Sequence, residues 1–448
     1  MEITEPRHAP TRESGVGLTS LSQDVSFKLL PIPRGDVSSE IVLVNVSGED
    51  QPGLMAMLTS TLARYQVRVL DVGQAVIHDE LNLGMLLQII SDGKGVQAAE
   101  VLSAIEANVL DQGMTARFTP ISSGDYDDWV KSQGKPRYIV TLLTAGATGE
   151  QLASFTSIVR NHGLNIDAIR RLSGRLPLTN DAGGQRICIE MSLRGVLDDA
   201  GALKAGLLEA AERLAFDFSV QQDTVYRRNR RLVAFDMDST LIDAEVIDEL
   251  AAVHGVGEQV ARITERAMGG DLKFADSFRE RAMLLKGLSE DALRRVADGV
   301  ALNDGARRLI RTLQHFGYKT AIISGGFQYV GERLRDELGI DYVYANSLEI
   351  RDGMMSGEVE GEIIDADRKA ELLKEIARRE GISGQQTIAI GDGANDLPML
   401  NAAGLGVAYH AKPMVKETAS HAISTFGLDS VLYLMGFSDR DIEEALMG

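Results

Sequence analysis

Three short apolar runs govern what the C-terminal half can fold into. They are Leu232-Val233-Ala234-Phe235, Thr320-Ala321-Ile322-Ile323 and Thr387-Ile388-Ala389-Ile390, and each breaks off into a polar or glycine-rich segment. Continuous apolar runs separated by helical stretches are the grammar of a doubly wound parallel sheet, an α/β fold, here beginning at Arg231. The stretch from about Ala244 to Leu302 is too long for a single crossover helix, so it predicts a separate helical cap. Between Tyr342 and Ile363 the chain predicts a hairpin, because Arg351-Asp352-Gly353 suits a tight turn.

The N-terminal half follows a different rule. Ile41 to Val46 predicts a strand, Gly48 to Gly53 a turn, and Leu54, Met57, Leu58, Leu62 and Tyr65 one face of a helix. Two strands (Val67–Ile77 and Leu81–Ile90), a helix (Val96–Leu110) and a strand through Phe118 complete a βαββαβ order. The order recurs from Tyr138 to Gln221, with a polar insertion from Ser173 to Gly184. Each copy predicts a four-stranded antiparallel sheet with two helices on one face, a ferredoxin-like α+β unit. The expected limits are 1–38 for a mobile extension, 39–122 and 136–222 for the two units, and 231–448 for the α/β domain with its cap at about 244–302.

A length of 448 residues suggests two to four domains at roughly 100–200 residues each. With 46 Lys+Arg against 65 Asp+Glu the net charge is −19, which argues against a polyanion such as nucleic acid as partner. The one basic run, Arg227 to Arg231 interrupted by Asn229, precedes the first strand of the α/β domain and predicts a linker or an inter-domain contact. A single cysteine, Cys188 in an alternating strand, leaves no disulfide framework. No apolar run approaches the ~20 residues of a membrane helix and the polar N-terminus has no signal core, so a cytoplasmic protein is expected.

The chemistry collects at the strand ends, where ligands sit in open parallel sheets. The first strand runs into Asp236-Met237-Asp238-Ser239-Thr240. Carboxylates at i and i+2 project to the same side of extended chain, and their mutual repulsion calls for a cation. Magnesium fits, since it takes oxygen ligands and shares them with phosphate. The second strand ends in Ser324-Gly325-Gly326, a hydroxyl with amides that phosphate oxygens can approach. The third ends in Gly391-Asp392-Gly393-Ala394-Asn395-Asp396, and Lys369 supplies a compact positive charge ahead of it. Together these are the parts that phosphoryl transfer needs.

These motifs, in this order, resemble the haloacid-dehalogenase-like (HAD) phosphatases, and Asp236 to Thr240 with Glu245 resembles the phosphoserine phosphatases among them. The resemblance covers Arg231 to about Ser424. It implies Asp236 as nucleophile and Asp238 as general acid/base. It implies Mg2+ held by the Asp236 side chain, the Asp238 main-chain carbonyl and Asp392. Ser324, Gly325 and Lys369 match phosphate-binding positions, and Asn395, Gly326 and Asp396 match supporting ones. In the cap, Glu245, Met268, Phe274 and Arg281 match positions around a serine moiety. An arginine can pair with its carboxylate and a glutamate with its ammonium, while Met268 and Phe274 can exclude water.

The doubled N-terminal unit looks like tandem ACT domains, modules that often bind amino acids. Asp50, Pro52 and Gly53 match an effector loop, for which L-serine is one candidate, whereas the second loop, Thr144 to Gly149, lacks the pattern. The resemblance implies hydrolysis of O-phospho-L-serine through an aspartyl-phosphate in L-serine biosynthesis, by a homodimer. Two alternatives stay open: a HAD phosphatase or phosphotransferase for another small phosphomonoester, and a serine-sensing regulatory protein.

Overall fold

The computed structural model describes residues 38–447 apart from 66, 92–96, 176–185 and 420. The expected extension, except for Ser38, and most of the polar insertion lie outside the described residues. The chain divides after Gln133 into two compact units.

In the first unit, β1 (Ser38–Glu49), β2 (Val67–Ile77), β3 (Glu80–Ser91) and β4 (Thr115–Ile121) form an antiparallel sheet in the order β2-β3-β1-β4. Alternate residues Val42, Val44 and Val46 of β1 and Leu81, Leu83, Met85, Leu87 and Ile89 of β3 face the core. The helices Leu54–Leu62 and Ala98–Asp111 cover them with Leu54, Leu58, Leu62, Val101, Ile105 and Val109, spaced by four within each helix. One element goes beyond the sequence reading. A helix, Ser123–Ser132, follows β4, started by the Ser122 hydroxyl, which accepts from the Asp125 amide at 3.1 Å. It buries no residue, so no apolar stripe announces it.

The second unit opens with the repeat: β5 (Arg137–Thr144), β6 (Asn165–Arg171), β7 (Ile187–Arg194) and β8 (Phe216–Gln222), with the helices Gly149–Asn161 and Ala200–Leu214. It continues with β9 (Leu232–Phe235), β10 (Lys319–Phe327), β11 (Tyr342–Arg351), β12 (Met354–Glu360), β13 (Thr387–Gly391), β14 (Leu405–Tyr409) and β15 (His421–Ile423). All eleven strands share one sheet in the order β12-β11-β10-β9-β13-β14-β15-β8-β5-β7-β6. The six from β11 to β15 in that order are parallel, and the repeat joins antiparallel where Ala422 of β15 faces Phe218 of β8.

Side chains of β9 alternate between the two faces of this sheet. Val233 and Phe235 enter one core with Ile322, Ile390 and Val407, whereas Leu232 and Ala234 enter the other with Leu372, Leu373 and Ile376. Of the basic run, Arg227 and Arg230 are buried in the junction, and Arg228 and Arg231 stay exposed. Arg227 pairs with Glu190 at 2.6 Å, Arg228 with Asp223 at 3.0 Å, and Arg230 donates to Gln385 O at 2.7 Å. Arg186, just before β7, holds both oxygens of Asp429 at 2.6 and 2.7 Å.

The cap consists of the helices Val246–His254, Gly257–Met268, Phe274–Leu284 and Glu290–Gly299. The hairpin β11–β12 turns at Asp352 and Gly353, both with positive φ, as a two-residue hairpin turn requires. Its outer strand is stitched to the cap: Met355 N donates to Leu288 O at 2.8 Å, and Gly287 N to Met355 O at 2.9 Å.

Candidate active site

Strand β9 lies between β10 and β13, so the three motif-bearing strand ends meet. The Asp236 amide donates to Ile390 O at 2.8 Å, which extends the ladder one residue beyond β9. Met237 turns into the core, fully buried, so Asp236 and Asp238 point the other way. At Ser239 φ becomes +56°, and the chain leaves the sheet toward the cap. The Ser239 hydroxyl donates to Glu245 at 2.7 Å and the Thr240 hydroxyl to Asp392 at 2.8 Å.

The second strand end works by close approach. Ser324 is buried and its hydroxyl accepts from the Gly326 amide at 3.0 Å. A β-carbon at Gly325 would stand 2.7 Å from the Phe274 ring, so a larger residue here would push that ring away where the cap closes over this turn. Asn346, also buried, donates to Gly325 O at 2.8 Å and accepts from the Ile364 amide at 2.8 Å, tying this turn to the chain ahead of Lys369.

At the third strand end, the Gly393 amide donates to Asp396 at 2.9 Å, and Gly391 leaves room for that same carboxylate. Lys369 lies on the helix Ala366–Arg379, whose first turn is capped by Asp365. It is fully buried, and its Nζ lies 2.8 Å from Asp236 Oδ2 and 2.7 Å from Asp396 Oδ1. Burial opposes its charge, but these two hydrogen-bonded carboxylates raise its pKa above the ordinary lysine value.

The carboxylates are crowded. Asp236, Asp392 and Asp396 each bring one oxygen to within 4.8 Å of the others. Burial first, and Asp236 next, push Asp392 up to about 6 and Asp396 up to about 7. Three carboxylates face one ammonium here, a charge imbalance that a hard cation with oxygen ligands would correct. Both oxygens of Asp396 are engaged, by Lys369 and Gly393, and both of Asp236, by Lys369 and the Met237 amide, whereas Asp392 is bonded through one oxygen, by Thr240. Burial, then Glu245 and Asp236, drive the Asp238 carboxyl well above the carboxylate range, although it accepts from the Val246 amide at 3.3 Å.

A cleft of about 640 Å³ opens over these groups between the sheet ends and the cap. Asp236, Asp238, Ser324, Gly325, Asp392 and Asn395 line its floor, and Glu245, Phe274 and Arg281 its cap side. Arg281 is partly buried, which lowers its pKa, while Asp248, Glu245 and Asp238 act in the opposite sense. Its Nε donates to Ser277 O at 3.4 Å. Met268 sits at the mouth, 66% exposed, so it rims the cleft rather than sealing it. Lys369 and Asp396 lie beneath the floor, entirely buried.

Three further residues were missed from the sequence. Thr240 was in view within the first motif, yet its bond to Asp392 spans 152 positions. Asn346 sits in a strand that had no motif to single it out. Lys412, on the cleft rim with Met414, precedes a proline that opens a short helix, Pro413–Thr418, an ordinary pattern without context.

In the first unit, Gly53 begins the helix Leu54–Leu62 with φ at 100°, and Asp50 N donates to Asp79 O at 2.7 Å. In the repeat, Thr148 and Gln151 form a reciprocal capping box at the equivalent helix start. That box satisfies the amides the corresponding loop would otherwise offer.

The haloacid dehalogenase-like hydrolase family matches residues 233–401 and the ACT domain family residues 40–119. The phosphoserine phosphatase of Streptomyces coelicolor is 41% identical over 405 residues, covering 90% of this chain and 94% of its own length. That of Mycobacterium tuberculosis is 38% identical over 414 residues, covering 91% and 96%. A HAD family hydrolase from Salmonella enterica superposes with a TM-score of 0.56 at 31% identity, over 66% of this chain and 98% of that one. A probable phosphoserine phosphatase from Vibrio cholerae, in its unliganded form, gives 0.53 at 33% identity, over 69% and 88%.

Proposed function

Because this chain belongs to the phosphoserine phosphatases of the haloacid dehalogenase-like hydrolase family, we propose that it hydrolyses O-phospho-L-serine to L-serine and phosphate through an aspartyl-phosphate. The observation that carries this reading is the contrast between two neighbouring carboxyls. Asp236 is held by the Lys369 ammonium at 2.8 Å, while Asp238 is pushed by burial toward its protonated form. Environments that separate two carboxyls in this way divide nucleophile from acid.

The Asp236 carboxylate attacks phosphorus, and the P–O bond to serine breaks as Asp238 gives its proton to the departing oxygen. Asp238, now a carboxylate, takes a proton from water, whose oxygen attacks the same phosphorus. The acyl phosphate opens, phosphate leaves and Asp236 is regenerated. Ser324, the Gly325 amide and Asn395 orient the phosphoryl oxygens, with Lys369 balancing charge from below. Gly326 leaves space for Asp238, and Asp396 holds Lys369. Glu245 takes the substrate ammonium and Arg281 its carboxylate, with Phe274 and Met268 flanking the serine carbon chain. A magnesium ion held by Asp236, Asp392 and the Asp238 main-chain carbonyl would supply charge neutralisation at the phosphoryl group.

The regulatory half is proposed to bind an amino acid such as L-serine at Asp50, Pro52 and Gly53, where an exposed helix start can hold a carboxylate. We propose further that it acts in serine biosynthesis in the cytoplasm, as a homodimer, with its phosphatase domain at 231–448.

Phosphate release from a panel of esters, with and without magnesium, tests the reading. Phosphoserine should lead phosphothreonine and homoserine phosphate, and only with metal. Equal rates across the panel, or metal-independent release, would refute it. Beryllium fluoride should label Asp236 in a refined map.

A further inference from the structure

The repeat that joins the catalytic sheet does so beside the cleft. The helix Pro413–Thr418 is a single short segment; the Ala419 amide closes on Val415 O, and the carbonyls beyond it are past the reach of the helix's own amides. Lys204, on the helix Ala200–Leu214 of the repeat, reaches them. Its Nζ donates to Glu417 O at 2.7 Å and also to Ala419 O. A lysine suits a helix C-terminus both as donor and as positive charge against the helix dipole. Burial lowers the Lys204 pKa, with Glu417 acting the other way, as fits an ammonium drawn off the surface into this contact.

The opposite end of the same helix forms part of the cleft. Lys412, Met414 and Val415 line it, and Lys412 Nζ lies 4.0 Å from the sulfur of Met268 on the cap. Past the helix, the chain enters β15, where His421 Nδ1 and Ser219 Oγ of β8 are 3.0 Å apart. One face of the substrate cleft is therefore held from behind by side chains of the N-terminal repeat.

We infer that Lys204 is a positioning residue for the phosphatase: by holding the carbonyl end of Pro413–Thr418, it sets where Lys412 and Met414 stand across the cleft from the cap. The inference rests on the phosphatase reading and deepens it, since it assigns part of substrate affinity to a residue outside the catalytic domain. Lys204 itself does not line the cleft. Its loss should loosen the cleft wall and leave the chemistry at Asp236 intact.

The test uses the full chain. Lys204→Met keeps the aliphatic stem and removes the donor. Its KM for phosphoserine should rise by about 3–10-fold with kcat within about twofold, the mark of lost binding rather than lost chemistry. Lys204→Arg should recover most of the affinity. Lys412→Met should raise KM on its own, and adding Lys204→Met should then change little, because both act through one wall. Hydrogen exchange should quicken at the Lys416 and Ala419 amides, which close this helix. An unchanged KM in Lys204→Met would overturn the inference, as would fully additive effects with Lys412→Met. Should Lys204→Met fold poorly, unchanged exchange at those amides in Lys204→Gln would overturn it equally. Failure of the phosphatase reading is seen separately, as absence of phosphoserine turnover in the unmodified chain.

Discussion

Gly326 faces Asp238 so closely that a β-carbon there would stand 2.2 Å from Asp238 Oδ2 and 2.7 Å from the Met237 terminal methyl. The second strand end is thus shaped around the proposed acid of the first. The Met237 methyl is a flexible tip, but the Asp238 carboxyl is packed under the cap, where it accepts from the Val246 amide.

Gly326→Ala should therefore displace the Asp238 carboxyl and lower kcat by about 10²-fold, the scale of one general acid/base. The fold should persist. Phosphate release compared with the melting temperature separates the two effects, and an unchanged kcat would show that Asp238 can move without cost.

Asp236→Asn should abolish turnover, by about 10³-fold or more, because an amide cannot take phosphorus from the ester. It also removes one of three crowded negative charges beside Lys369. Without metal, the variant should melt at or above the temperature of the unmodified chain. Residual turnover near the starting level would reassign the nucleophile.

Arg281→Ala should raise KM for phosphoserine by about tenfold, as expected for a lost charge-assisted pair, and leave an aryl phosphate nearly unaffected. Steady-state kinetics on both substrates decide this. Equal effects would take Arg281 out of substrate recognition.

Chelation should stop phosphate release, and added magnesium should restore it. The ion should also raise the melting temperature, since a ligand at about 100 times its Kd adds about 2.7 kcal/mol to the folded state. Calorimetry with and without magnesium reads this out. Asp392→Asn should lose most of that stabilisation.

His421 makes the joint between the repeat and the catalytic sheet sensitive to acid. Burial first, then Lys204 and Arg230, lower its pKa from 6.5 to about 3. The unfolded chain then binds the extra proton between those values, so His421 favours the folded state fully above pH 6.5. That contribution falls as the pH drops, by about 1.4 kcal/mol per unit well below 6.5. Urea unfolding of the second unit at pH 7 and pH 5 should show the loss, and His421→Asn should flatten it. Parallel pH dependences would remove His421 as its source.

The motif residues were legible because each motif is contiguous and sits where an apolar strand stops. Asp236, Ser324 and Asp392 are each placed by their own strand, and parallel pairing brings the strand ends together. The first unit was legible for a similar reason: periods of two and of four residues, as in Val42, Val44 and Val46 or Leu54, Leu58 and Leu62, are local. The helix Ser123–Ser132 escaped because it buries no residue and so carries no such period.

By itself the sequence determined which residues end each strand, which stripe of each helix is apolar and which chemical groups gather at the sheet's carboxyl edge. Those properties depend on side-chain order within one element. Only the tertiary structure decided that Lys369 lies beneath Asp236, that Thr240 holds Asp392, that Asn346 ties the Ser324 turn to the chain ahead of Lys369, and that the repeat extends the catalytic sheet through β8. Each is a choice of partner between segments far apart in the chain. Such choices follow from how whole surfaces pack, and no short run of residues encodes them.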